Sequence, residues 1–308
     1  MFSIALSNVL VTLFYMIPGF VVRKMNKASE THLQTLSGIL IYICTPFLEI
    51  SAFMSLDFSI SETAEMIKFF IVSFCLQSIF MLILYLFLRH KYSESKYRLL
   101  TIASVLGNVG FFGMPITRAL LPDNPEVACY CAVNMVTMNI LIFTVGIFCL
   151  TNDKKYISVK SALFNPTIFG FVVALPFYIF GFKNILPNPL IDAINTVGDI
   201  STPLCMFILG IRLASVKLKT VFNKPIVYLI CFMKLLVFPS FCYAAVSLLP
   251  VSPVFRSAVT ILAATPCASV ILALSEIHES EPDMAARCLL VSTVLCFVTI
   301  PIITLLVQ

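Results

Sequence analysis

The sequence predicts an all-α membrane protein with ten transmembrane helices, arranged as two inverted five-helix repeats. The 308-residue chain is 60% hydrophobic and 11% charged, whereas soluble domains contain about 25% charged residues. Apolar runs of roughly the 20 residues that a membrane-spanning helix needs recur from end to end. Prolines interrupt two pairs of these runs at corresponding places in the two halves. Paired interruptions of this kind are typical of transporters.

Ten spans can be placed between the short polar segments. The first run has no charge before it and three basic residues soon after it, the reverse of a cleaved signal peptide, so we interpret it as a retained helix. The predicted spans lie at about 2–22, 33–53, 64–88, 98–121, 127–150, 162–182, 193–214, 226–249, 254–276 and 285–307.

Basic residues predict the orientation of these spans. When the spans alternate in direction, fifteen of the 20 Lys and Arg residues fall on one side, and such residues are concentrated in cytoplasmic loops. We therefore expect a multi-pass protein of the cell (cytoplasmic or inner) membrane with both termini outside. The net charge of +5 is accounted for by these loops, so no nucleic-acid partner is expected. The fifteen residues are Arg23, Lys24, Lys27, Arg89, Lys91, Lys96, Arg98, Lys154, Lys155, Lys160, Arg212, Lys217, Lys219, Lys224 and Arg287.

The two predicted repeats are residues 1–153 and 154–308. Each holds five spans, and an odd number makes the second repeat enter the membrane in the opposite direction from the first. Proline interruptions occur at matching spans of both repeats, which is the best indication of a binding site that a transporter sequence offers. The matched pairs are Thr45-Pro46 with Thr202-Pro203, and Pro115 with Pro266.

The segment from Gly107 to Pro115 contains three glycines and a proline within span 4. Glycine costs a helix about 1 kcal/mol and proline about 3 kcal/mol relative to alanine. Broken backbone inside a bilayer is tolerated only where protein or a water-filled cavity surrounds it. We therefore expect spans 4 and 9 to be broken near the bilayer midplane and to line a site there. Their second halves are predicted to begin at Pro115 and just after Pro266, with helix N-termini that attract a carboxylate.

Polar side chains near the breaks are the candidates for substrate contact. The neutral amide of Asn108 can donate to a carboxylate, although capping of the broken helix is an alternative. Thr265 is the equivalent residue of span 9, unless its hydroxyl bonds back to its own helix. Asn134 of span 5 either faces the breaks or bonds a neighbouring helix. The predicted substrate-binding residues are Asn108, Gly110, Pro115, Asn134, Thr265 and Pro266.

Three ionisable residues within the spans are candidates for ion coupling or counter-charge, because charges in membranes are expensive and usually functional. Glu49 and Asp199 lie near the predicted outer ends of spans 2 and 7, within reach of the interface. Lys234 lies about eight residues into span 8; its side chain either snorkels to the surface or balances a bound anion. No acid is clearly placed at the midplane, so coupling to H+ or Na+ stays open.

The remaining reactive residue types indicate neither an enzyme nor a metalloprotein. The 11 cysteines are scattered through apolar runs and the three histidines fall in loops, so no disulfide framework, metal site or cofactor is expected. An enzyme would need a nucleophile with a base, or a metal, at one depth in the membrane. We therefore predict no catalytic residues and no enzymatic activity.

Three segments resemble the signature motifs of the auxin efflux carrier family: residues 107–115, 202–210, and 264–269 leading to Ser275-Glu276. This family includes plant auxin exporters and bacterial malate or malonate permeases. The resemblance implies spans 4 and 9 that cross where they unwind, a scaffold of spans 1, 2, 6 and 7, a transport domain of spans 3–5 and 8–10, and a homodimer. Only about a dozen residues join spans 5 and 6, so the chain is similar to a compact bacterial permease.

The resemblance and the paired breaks together predict a secondary transporter in the lipid bilayer. Its expected substrate is a small organic anion, a mono- or dicarboxylate of the auxin or malate/malonate type, moved by alternating access at the crossover of spans 4 and 9. A sodium-coupled carrier of the organic-acid or bile-acid type is the nearest alternative, and it would need a cage of oxygen ligands. A non-transporting receptor or a channel on the same fold is a further alternative.

Overall fold

The computed structural model describes residues 2–157, 159–215 and 224–307, and within these its regular elements are helical apart from one isolated β-bridge. The predicted all-α class is therefore confirmed. In chain order the helices are α1 (Phe2–Lys24), α2 (Thr31–Met54), α3 (Ile60–Lys91), α4 (Ser95–Ala103), α5 (Met114–Leu120), α6 (Glu126–Thr151), α7 (Pro166–Ile179), α8 (Asn188–Ser215), α9 (Pro225–Ser247), α10 (Pro253–Ala263), α11 (Ser269–Ile277) and α12 (Pro282–Val307).

Seven of these helices are long and apolar enough to cross a membrane: α1, α2, α3, α6, α8, α9 and α12. Predicted span 6 corresponds to the shorter α7, which follows a short helix at Val159–Leu163. Predicted spans 4 and 9 each correspond to two short helices separated by a break, α4 with α5 and α10 with α11. The count of ten spans and their inverted relation stay predictions. Lys217 and Lys219, which the predicted orientation uses, lie outside the described residues.

Three prolines are each preceded by a π-helical turn that ends two residues before them. A proline inside an α-helix lacks the N–H that the ladder needs, and its ring collides with the carbonyl four residues earlier. The wider π turn relieves both problems, so α2 and α9 continue through their prolines without a break. The turns are Leu40–Cys44 before Pro46, Val109–Gly113 before Pro115, and Met233–Val237 before Pro239.

Glycines bring two pairs of helices into backbone contact. A Cβ added to Gly19 of α1 would overlap the carbonyl of Phe207 in α8, and one added to Gly210 of α8 would overlap the carbonyl of Met16. In the same way, Gly170 of α7 lies directly against α2. Small residues allow such close packing where no hydrophobic force acts between helices in lipid. Helices α1, α2, α7 and α8 thus form one closely packed group.

Helices α3, α6 and α10 meet at a separate aromatic cluster. Phe69 of α3 stacks on Tyr130 of α6 with ring centroids 4.5 Å apart, and Phe255 of α10 lies edge-on to Phe69 at 4.9 Å. Helix α9 packs against α10 and α12. Large apolar side chains such as Phe87 and Phe164 are exposed on the outer surface, as expected for a protein whose surroundings are hydrocarbon.

Candidate functional site

The two broken segments cross and pair with each other. Gly107 forms an antiparallel β-bridge with Cys267. The N–H of Asn108 donates to the carbonyl of Pro266 at 2.8 Å, and the N–H of Ala268 donates to the carbonyl of Leu106 at 3.1 Å. Each break therefore satisfies backbone groups of the other, which is the condition for non-helical chain inside a membrane protein. The predicted breaks in spans 4 and 9 are present, and they meet.

The break in span 4 lies earlier in the chain than expected. Helix α4 ends at Ala103, and helical structure resumes at Val109 rather than at Pro115. The reason is the π turn over Val109–Gly113, in which the N–H of Gly113 donates to the carbonyl of Asn108 at 3.0 Å. This turn accommodates Pro115 within the first turn of α5. In span 9 the second half begins at Ser269, close to the predicted place after Pro266.

Glycine is required where the two segments touch. A Cβ on Gly107 would overlap the hydroxyl of Thr265 and lie 2.9 Å from the ammonium nitrogen of Lys234. A Cβ on Gly113 would lie 2.8 Å from the Cγ2 methyl of Thr265. A Cβ on Gly110 would press on the side chain of Met135 at 2.7 Å. Gly107 and Gly113 therefore set how closely the two segments pack, whereas Gly110 faces the flexible end of a methionine side chain.

A cavity of about 380 Å³ lies beside the crossover, between it and helices α2, α7 and α8. This volume is in the range of small-molecule sites, which are usually apolar with a few polar groups. The apolar walls include Phe111, Met135, Met138 and Phe143. The polar residues that line it are Ser37, Tyr42, Thr45, Asn108, Asn139, Asn165, Thr167, Arg212 and Ser269.

Two of the predicted substrate-binding residues, Asn108 and Gly110, line this cavity. The amide of Asn108 is buried, and among the described residues its nitrogen has only a distant contact of 3.8 Å with the sulfur of Cys205. A strong hydrogen-bond acceptor in the cavity could therefore bind this nitrogen without breaking a strong existing hydrogen bond. Asn139 also lines the cavity, but its amide nitrogen already donates to the carbonyl of Met135 at 2.8 Å.

The other four predicted substrate-binding residues do not line the cavity. Pro115 lies within α5, and Pro266 contributes its carbonyl to the crossover. The hydroxyl of Thr265 bonds back to the carbonyl of Leu262 at 2.7 Å, which was the alternative for this residue. Asn134 accepts a hydrogen bond from the amide of Gln77 at 3.0 Å and borders a much smaller cavity of about 20 Å³ on another face of the crossover.

The three ionisable candidates have different environments. Lys234 does not snorkel to the surface: it is fully buried, and its ammonium donates to the carbonyls of Val105 at 3.0 Å and Ala263 at 2.8 Å. Glu49 does not reach the surface either; it is fully buried, and its carboxyl oxygens have no hydrogen-bond partner among the described residues. Asp199 is exposed. The expectation that Lys234 and Glu49 reach the surface rested on their positions along the spans. Both side chains face the interior of the protein, and position along a span does not reveal this.

Comparison with known proteins places the chain in a family. A family model described as "Membrane transport protein" matches residues 4–161 and 154–304. The chain belongs to this family. The predicted membership of the auxin efflux carrier family of membrane transport proteins is thereby confirmed.

Two archaeal relatives of this membrane transport protein align along nearly their whole length. An uncharacterized transporter of Methanocaldococcus jannaschii is 26% identical over 298 residues, covering 94% of both chains. An uncharacterized transporter of Methanothermobacter thermautotrophicus is 24% identical over 301 residues, covering 96% of both chains. Both carry the name of transporters without a stated substrate.

In this membrane transport protein, sequence reasoning used Arg212 only as a loop charge and missed its place at the cavity. Arg212 is the one charged residue that lines the cavity in the described part of the chain. Its guanidinium pairs with Glu276 of α11 at 2.8 Å, and both residues border an adjoining cavity of about 620 Å³. The position of Arg212 at the end of a span, next to the second motif, was the only signal in the sequence.

Proposed function

We propose that this protein is a secondary transporter that moves a small organic anion across the cell membrane by alternating access. One observation carries the proposal: two helix N-termini, the amide of Asn108 and the guanidinium of Arg212 border one largely apolar cavity. Helix N-termini carry about half a positive charge, and guanidinium groups bind carboxylates through paired hydrogen bonds. These groups favour a mono- or dicarboxylate with a small organic body.

The N-terminal ends at the cavity come from the two halves of the crossover. The helical turn that starts at Val109 leads into α5, and α11 starts at Ser269; both starting residues line the cavity. An anion held between these two N-termini would be stabilised by their partial positive charges. Weak, distributed stabilisation of this kind allows a substrate to leave as well as to enter, which a carrier needs.

Movement of the substrate requires the two helix groups to shift relative to one another. We propose that α1, α2, α7 and α8 form the scaffold, and that the crossover helices move with α3, α6, α9 and α12 as the transport domain. The ion pair between Arg212 of α8 and Glu276 of α11 joins the two groups. Because Arg212 lies on the side predicted to be cytoplasmic, the present conformation is proposed to open to the cytoplasm.

The inverted five-helix repeats, the homodimer and the orientation with both termini outside belong to the same proposal. The distribution of Lys and Arg supports the orientation, and family membership supports the repeats and the dimer. Blue-native electrophoresis with cross-linking tests the dimer, and protease accessibility of tagged termini tests the orientation.

Uptake into proteoliposomes tests the function. Labelled malate, malonate and indole acetate would be offered with and without proton and sodium gradients. We expect saturable uptake of at least one acid, and competition by other carboxylates of similar size. Absence of uptake for every acid, from protein shown to be folded, would contradict the anion-carrier proposal and favour the receptor alternative.

A further inference from the structure

A buried ammonium group occupies the place behind the crossover where two negative helix ends meet. Lys234 lies on the π turn of α9 and is fully buried. Its Nζ donates to the carbonyl of Val105, just beyond the end of α4, and to that of Ala263, the last residue of α10. It also lies 5.1 Å from the centre of the Phe238 ring, at the distance of a cation–π contact.

These partners are the groups that would otherwise bind a free cation. The C-terminal end of a helix carries about half a negative charge and carbonyls without helical partners. In transporters with broken helices, such half-helix ends and unwound carbonyls coordinate a monovalent ion. In this chain both half-helix ends, of α4 and of α10, point their carbonyls at one side-chain ammonium.

A small cavity adjoins this group. It has a volume of about 20 Å³ and is bordered by Val105, Ala263 and Phe238, all of which contact Lys234, and also by Ser73 and Asn134. The hydroxyl of Ser73 is buried and has no hydrogen-bond partner among the described residues. A space of this size holds about one water molecule.

We propose that the crossover contains a monovalent-cation site that the ammonium of Lys234 fills permanently. The site consists of the carbonyls of Val105 and Ala263 and the face of Phe238, and the hydroxyl of Ser73 lines the space beside it. Lys234 thus acts as a positioning residue: it holds the ends of α4 and α10 together and takes the place of an exchangeable ion. Resting on the proposed transport function, this predicts that anion uptake proceeds equally well in sodium and in choline.

Removal of the side chain should expose the site. Lys234→Ala leaves the space and the carbonyls but no cation, whereas Lys234→Met fills the space without charge and serves as the matched control. Purified wild type and both variants would be heated in chloride salts of choline, sodium and n-propylammonium at equal ionic strength. Because the chain contains no tryptophan, unfolding would be followed by far-ultraviolet circular dichroism.

We expect the Tm of the wild type to be the same in all three salts. Both variants should unfold several degrees lower in choline, and sodium or propylammonium should raise the Tm of Lys234→Ala while leaving Lys234→Met unchanged. The proposal is wrong if Lys234→Ala shows no response to either cation. It is equally wrong if Lys234→Met is as stable as the wild type, or if sodium stabilises the wild type over choline.

These Tm measurements need no substrate, so they separate the two proposals. A cation-dependent Tm in Lys234→Ala, together with no uptake of any acid by the wild type, would leave the cation site standing and remove the anion-carrier function. Two results would contradict the resident-cation proposal and leave the carrier function intact. One is that uptake by the wild type requires sodium. The other is that a proton gradient drives uptake by the wild type but not by Lys234→Met.

Discussion

At the residue scale, the amide of Asn108 decides whether the cavity is a substrate site. Hydrogen bonds to charged groups contribute about 1.5–3 kcal/mol, and 1.4 kcal/mol corresponds to a factor of ten. Asn108→Ala should therefore lower uptake at low substrate concentration by about tenfold or more. Its Tm should change little, because the amide nitrogen has only the 3.8 Å contact with sulfur in the part of the chain that the structure describes.

Asn139→Ala is the matched control for Asn108. This residue lines the same cavity, but its amide is engaged with the carbonyl of Met135. Initial rates of both variants would be compared in proteoliposomes of equal protein content. Normal uptake by Asn108→Ala, or an equal loss in Asn139→Ala, would remove Asn108 from the site.

Arg212 and Glu276 offer a second test at this scale, because they form an ion pair and Arg212 lines the cavity. Arg212→Gln should raise the KM for a carboxylate by about tenfold, the loss of one charge-assisted hydrogen bond. Glu276→Gln releases the guanidinium for the substrate, so its KM should stay the same or fall. Concentration dependence of uptake measures both values, and parallel increases would show that the ion pair, rather than the guanidinium, matters.

The sequence was informative for some site residues and uninformative for others. Asn108 and Gly110 could be found because they interrupt an apolar span. The burial of Glu49 and Lys234 could not, because position along a span does not say which way a side chain faces. Glu49 packs against Gly170, a contact between distant parts of the chain that no local pattern reveals.

At the element scale, the crossover depends on Gly107 more than on Pro115. A Cβ at position 107 would meet Thr265 and Lys234, so Gly107→Ala should separate the two segments, abolish uptake and lower the Tm. Pro115 lies after a π turn within helical structure, so Pro115→Ala should retain the crossover and much of the uptake. Equal loss of uptake in both variants would contradict this assignment of the break.

Close packing of α1 on α8 is a second prediction about elements. Gly210→Ala would place a methyl group against the carbonyl of Met16, and overpacking typically costs about 1–3 kcal/mol. Gly38→Ala in α2 is the matched control, because nothing lies within 4 Å of the added Cβ. Its Tm should be unchanged or slightly higher, since alanine favours a helix over glycine by about 0.5–1 kcal/mol. A Tm for Gly210→Ala as high as that of the wild type would contradict close packing.

Elements were predicted well where hydropathy alone decides them. The long helices lie close to the predicted spans, and both broken spans were found because glycine and proline disturb an otherwise apolar run. The start of the second half of span 4 was misplaced, because a π turn before Pro115 restores helical structure that proline was expected to prevent.

At the scale of the whole molecule, the protein combines a glycine-packed helix group with a crossover group, and the cavity lies between them. The guanidinium of Arg212 and two helix N-termini border this cavity, and the ammonium of Lys234 lies behind the crossover. The chain belongs to a family of membrane transport proteins. We expect an anion bound in this cavity to cross the membrane as one helix group moves against the other.

A counterflow measurement distinguishes such a carrier from a channel. Proteoliposomes loaded with a high concentration of an unlabelled acid would be diluted into a trace of the same labelled acid, with no ion gradient. A carrier predicts transient accumulation of label above equilibrium, absent from Gly107→Ala and strongly reduced in Asn108→Ala. Label that only equilibrates, at a rate independent of the internal acid, would indicate a channel and contradict alternating access at the crossover.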